Sequence, residues 1–88
     1  MTSGTTTITV RYFAAARAAA GVEVDKVQVA SDSTVADLLN AVRAEHGPEF
    51  ARVLARCSYL LDEVAVRNHD APVADATNLD VLPPFAGG

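Results

Sequence analysis

The chain has no tryptophan, one methionine and one cysteine. A lone thiol, Cys57, cannot close an internal disulfide, which excludes a disulfide-stapled scaffold and makes a reducing cytoplasm the expected compartment. No apolar run approaches the ~18 residues that a membrane-spanning helix needs. The opening Met1-Thr2-Ser3-Gly4-Thr5-Thr6-Thr7 lacks both a basic and an apolar segment, so residues 1–6 are expected to be a flexible polar leader and not a secretory signal. Basic charge is sparse as well. Arg11, Arg17, Lys26, Arg43, Arg52, Arg56 and Arg67 form no run, and the formal net charge is −4. Phosphate backbones call for a clustered basic footprint, so nucleic acid is not an expected partner. Glycine is too dispersed to cradle a phosphate, and no G-x-G-x-x-G, Walker loop or H-E-x-x-H occurs.

What is present is an ordinary globular composition: 88 residues, half of them apolar and a fifth charged. That is one small domain, burying only about 60–65% of the surface its unfolded chain exposes. Ile8, Val10 and Tyr12 alternate with Thr9, Arg11 and Phe13, which predicts a strand over 7–13. Phe13 is out of step with the apolar set and is expected on the opposite strand face. "AAARAAAG" (14–21) predicts one or two helical turns, or a tight loop, closing on Gly21. Val24, Val27 and Val29 predict a strand over 23–30, and the change of parity after Val24 suggests a bulge or an early end.

The clearest helix is "SDSTVADLLNAVRAEHG". Val35, Leu38, Leu39 and Val42 recur at i, i+3, i+4 and i+7, on one helical face. Ser33 or Thr34 suits the N-cap, and Asp37 suits the positive end of the dipole. Gly47 ends this helix and Pro48 opens a second, along which Phe50, Val53, Leu54 and Cys57 share a face. "YLL" (59–61) and "VAV" (64–66) predict two short strands around Asp62-Glu63. "RNHDAP" (67–72) is turn chemistry. "NLDVL" (78–82) predicts the last strand, with Leu79 and Val81 on one face, and Pro83-Pro84 takes the chain out of the sheet. The order of elements predicts an α+β fold, a mixed sheet with its helices packed on one face.

Ordinary catalytic groupings are missing. Cys57 reads as a small hydrophobe on a helix face. His46 and His69 fall in separate elements and read as structural or solvated. Asp62 and Glu63 are adjacent turn carboxylates, expected to be solvated. Arg11 and Arg67 could share a sheet face and meet an acidic partner. That leaves "VLPPFAGG" (81–88). Gly87 and Gly88 carry no side chains and can enter a slot too narrow for other residues. Pro83 and Pro84 stiffen the exit. Six residues follow Leu82, and at ~3.3 Å each they reach up to roughly 20 Å, enough to carry a terminal carboxylate into another protein's active site. A carboxylate must first be activated, for example as an acyl-adenylate, so this reading requires a partner enzyme. The plain alternative is an idle Gly-Gly end.

Three segments, "VRYFAAARAAAG" (10–21), "STVADLLNAV" (33–42) and "VLPPFAGG" (81–88), with "DAPV" (70–73), resemble the small sulfur-carrying subunit of molybdopterin synthase, a ubiquitin-like β-grasp family. The resemblance spans residues 8–88. It implies a β-grasp domain over 7–82 and an extended tail over 83–88, in which Pro83, Pro84, Phe85, Ala86 and Gly87 insert into the large subunit. It implies that Gly88 is the reactive terminus. A ubiquitin-activator-like enzyme would adenylate Gly88 with ATP and convert it to a thiocarboxylate, and the sulfur would pass to cyclic pyranopterin monophosphate. No cofactor would be bound by the chain itself. Phe13, Val66 and Leu82 match positions where the family presents apolar side chains to the large subunit; core packing is the alternative for each. Three other readings stay open: a carrier for thiamine or cysteine synthesis, a protein tag joined through Gly88 to lysines, and an interaction domain with an idle tail.

Overall fold

The computed structural model describes residues 4–84. The first strand, β1 (Thr5–Tyr12), begins two residues before the expected boundary, because Thr5 and Thr6 pair with Ala30 and Val29 of β2 (Val24–Ala30). These are the first two pairs of an unbroken antiparallel ladder that ends at Arg11 and Val24. The bulge expected in β2 does not occur. Its inward positions are Asp25, Val27 and Val29, and Val24 simply faces solvent at 43% exposure. The parity change thus marks a polar residue, Asp25, in an inward position.

The alanine run is a helix, α1 (Ala14–Ala20), closed by Gly21 at φ 79°. In α2 (Val35–His46), Val35, Leu38, Leu39 and Val42 are all fully buried, each contributing about 1.5–3 kcal/mol of transfer free energy. Thr34 is its cap: the Thr34 hydroxyl accepts from the Asp37 amide at 3.2 Å, and the Asp37 carboxylate accepts from the Thr34 amide at 3.0 Å, a reciprocal capping box. Gly47, at φ 91°, ends α2 in a backbone region closed to most side chains and leads into Pro48, the first residue of α3 (Pro48–Leu54).

Cys57 lies beyond α3 and not on its face as expected. After Leu54 the turns tighten to i→i−3 bonds, with Arg56 N–H donating to Val53 and Cys57 N–H to Leu54, both at 3.0 Å. The chain then forms β3 (Ser58–Leu61) and β4 (Val64–Ala65) around a two-residue turn. Asp62 and Glu63 both take positive φ, 48° and 71°, the conformation that matches the twist of a tight hairpin. Asp62 also accepts from the amides of Thr77 and Asn78 at 3.0 and 2.9 Å, which holds its pKa below the usual carboxylate value. That clamp leads the chain into β5 (Asn78–Leu82).

The described strands form one mixed sheet in the order β2-β1-β5-β3-β4, with β5 parallel to β1 and antiparallel to β3. Ile8, Val10, Tyr12, Tyr59, Leu79 and Val81 face the helices and make the core with Ala16, Phe50, Leu54, Val73 and the α2 stripe. This is the ubiquitin-like β-grasp arrangement that the sequence led us to expect.

Candidate functional site

The ends of β1 and β5 lie side by side. Tyr12 pairs with Val81, and the Phe13 amide donates to the Val81 carbonyl at 3.3 Å. The Phe13 carbonyl accepts from Ala16 and Arg17 at the start of α1. Both backbone groups of Phe13 are therefore used inside the fold, while its side chain is 41% exposed. Alternation along β1 had assigned Phe13 to the opposite face from Tyr12, and Tyr12 is buried. Phe13, Ala14, Leu82, Pro83 and Pro84 line an apolar groove of about 230 Å³. Ala14 holds φ 51°, a left-handed conformation that costs a non-glycine residue about 1–2 kcal/mol. No sequence signal distinguishes this alanine from its neighbours.

Of the three apolar positions, the structure brings Phe13 and Leu82 together and places Val66 elsewhere. The Val66 amide donates to the Tyr59 carbonyl at 2.9 Å, and its side chain packs against the core. There it borders a cleft shared with Arg43, Cys57, Ser58, Tyr59 and His69. Pro83 and Pro84 form the root of the C-terminal segment. Phe85, Ala86, Gly87 and Gly88 lie outside the described residues.

Two polar clusters escaped the sequence reading. On the uncovered sheet face, the Arg11 guanidinium grips Asp80 with two bonds, Nε to Oδ1 at 2.6 Å and Nη2 to Oδ2 at 2.9 Å. The hydrogen bond to Asp80, and then its charge, raise the Arg11 pKa further above its ordinary value. The possible signal was positional: Arg11 stands two residues before Phe13, and Asp80 two before Leu82. Arg67 lies exposed in the loop after β4, outside the sheet. On the helix side, Asp25 accepts from the Tyr12 hydroxyl at 2.7 Å and lies 2.5 Å from His46 Nε2. Burial raises the Asp25 pKa, but the hydrogen bonds from His46 and Tyr12 and the His46 charge together outweigh it and leave the pKa below the ordinary value. His46 is thus structural. Cys57 is half-buried, donates to the Val53 carbonyl at 3.2 Å, and has its pKa pushed up by burial, the opposite of an activated thiol.

Among the described residues, no three His, Cys, Asp or Glu side chains are placed to hold a metal ion, and no helix is long and apolar enough to cross a membrane. Fold and site together define a ubiquitin-like β-grasp domain whose last described strand, β5, ends at an apolar groove; the sequence continues to Gly87-Gly88. Residues 10–88 match the model of the ThiS family, and the chain belongs to that family of ubiquitin-like sulfur carriers. It is 32% identical over 82 residues to the molybdopterin synthase sulfur carrier subunit of Chlamydomonas reinhardtii, covering 92% of this chain and 98% of the relative. SAMP1 of Haloferax volcanii superposes with a TM-score of 0.80 at 25% identity, covering 94% of this chain and all of that one. A subunit in the complex of subunits 1 and 2 of the molybdopterin-converting factor of Helicobacter pylori superposes with a TM-score of 0.62 at 24% identity, covering 94% of this chain and all of its own length. The last of these supports the fold alone.

Proposed function

We propose that the chain is the sulfur-donor subunit of a molybdopterin synthase and works through its C-terminal carboxylate. The observation that carries this reading is the groove of Phe13, Ala14, Leu82, Pro83 and Pro84 at the root of a segment that ends in Gly87-Gly88. It gives a partner an apolar handle on the domain beside a narrow tail. The Gly88 carboxylate attacks the α-phosphate of ATP held by an adenylating partner, and pyrophosphate leaves. A sulfide nucleophile then attacks the acyl carbon and AMP leaves, giving the thiocarboxylate. With the tail inserted in the large subunit, the thiocarboxylate sulfur attacks cyclic pyranopterin monophosphate, and water then cleaves the acyl–sulfur bond and returns Gly88 to a carboxylate. Two charged carriers supply the two sulfurs of one dithiolene. ATP belongs to the adenylating enzyme, and the acid–base groups for sulfur insertion belong to the large subunit. The cycle suits a reducing cytoplasm, where Cys57 stays a thiol.

The test is reconstitution. Thiocarboxylated chain, the large subunit and cyclic pyranopterin monophosphate are mixed, and the dithiolene product is measured. Product is expected in proportion to the carrier supplied. A chain that acquires the thiocarboxylate yet yields no product would direct the sulfur to another client. A second reading, a protein tag, is favoured by the likeness to SAMP1, a small archaeal modifier protein. It predicts Gly88 in isopeptide bonds to lysines of cellular proteins.

A further inference from the structure

Arg11 and Asp80 sit mid-row across the sheet face that no described element covers, near the ends of β1 and β5. The register places Val24, Arg11, Asp80, Leu60 and Ala65 in one row across all five described strands. The next row on that face holds Phe13, Leu82 and Ser58. The row's outer members are apolar, so two charges at its middle call for an explanation. The Asp80 side chain is only 10% exposed, against 40% for Arg11, and both of its oxygens are taken by the guanidinium. With its guanidinium partly exposed, such a pair contributes little by charge alone, and even a buried pair seldom stabilises a fold more than apolar side chains of similar size would. What a two-bond fork does supply is a fixed relative orientation of the groups it joins. Here it joins the one parallel-paired couple of strands in the described sheet, two residues before the groove, where the parallel ladder has one more pair, Tyr12 with Val81, and Leu82 pairs with Ser58 of β3 instead. Pro83, next in the chain, donates no ladder bond, and parallel pairing is slightly weaker per residue than antiparallel pairing.

We infer that Arg11 and Asp80 are positioning residues: their fork sets the direction in which Leu82 and Pro83 leave the sheet, and so governs how readily the adenylating enzyme captures the chain. The inference rests on the carrier reading for its consequence and on the fold for its geometry. The stability question is separated from the aiming question by the double variant Arg11→Met with Asp80→Leu. It removes both charges together and leaves no unpaired carboxylate in the sheet. Its unfolding midpoint is expected to match that of the wild type. Its KM as a substrate of the adenylating enzyme is expected to rise about tenfold or more while kcat changes less than about twofold, since misaiming weakens capture of the tail more than the chemistry. Arg11→Lys keeps the charge without the fork and is expected to share the defect. The reversed pair, Arg11→Asp with Asp80→Arg, restores the fork and is expected to recover part of the loss. Residual dipolar couplings of the Val81 and Leu82 amides, measured on the free chain, are expected to change in the Met/Leu variant while those of Leu38 and Leu39 do not. An apolar double variant with wild-type KM, or with unchanged couplings at Val81 and Leu82, would overturn the inference. A wild-type chain that is never adenylated would defeat the carrier reading, and the couplings would still decide the positioning role.

Discussion

The two faces of the sheet follow different rules. On the helix side, Ile8, Val10, Leu79 and Val81 are fully buried, and each side chain is there because its neighbours exclude water. On the other side stand Arg11, Phe13, Val24 and Leu82, partly exposed, with no described element packed over them. The helix side is over-determined, since many apolar residues of about the right size would fill it. The open side carries individual choices that packing does not demand: an exposed aromatic, a fork of two charges, a left-handed alanine. Those choices cluster at one end, where β1 and β5 finish together. The core thus accounts for the fold, and the end of the open face is where the proposed partner contact falls.

Substitutions should keep the two faces apart. Leu38→Ala, in the fully buried α2 stripe, is expected to cost about 2–5 kcal/mol, a large share of the ~5–15 kcal/mol that holds a typical domain; urea unfolding reads it. Phe13→Ala is expected to reverse that pattern. It should change stability by only about 0.5 kcal/mol and weaken binding to the large subunit by about 2 kcal/mol or more, measured by calorimetry. A large loss of stability with no loss of affinity would return Phe13 to the core. The smallest effect is expected at Asp25, on the helix side. Its folded pKa lies below the ordinary 3.8, so its contribution is whole above that value and is lost as pH falls through the lower folded value. Asp25→Asn should therefore flatten the acid limb of the stability–pH curve below about pH 4 and leave groove binding unchanged.

Much of the helix side was legible in the sequence. The α2 stripe, the alternation of β1, the span of β5 and the helix-breaking Gly47-Pro48 all depend on spacing within a few residues, and periodicity reports spacing. Phe13 was legible on the open face for the same reason, as the residue out of step. Partners distant in the chain were not. His46 meets Asp25 across 21 residues, and Arg11 meets Asp80 across 69; only strand order and register decide such pairs. Resemblance grouped Val66 with Phe13 and Leu82, with core packing as its alternative; its amide donates to the Tyr59 carbonyl and its side chain is partly buried against the core. Local hydrogen bonding set the remaining differences: tightened turns carried Cys57 off the end of α3, and continued pairing of β1 drew Thr5 and Thr6 out of the expected leader.

The central claim is that Gly88 carries sulfur. The most direct test incubates the full chain with an adenylating enzyme of its own cells, ATP and sulfide, and reads the intact mass and the C-terminal peptide. The account predicts a chain heavier by the exchange of one oxygen for one sulfur, with the change confined to Gly88 and absent when ATP is withheld. An unchanged carboxylate, with the same enzyme shown to charge another carrier in the same reaction, would contradict it.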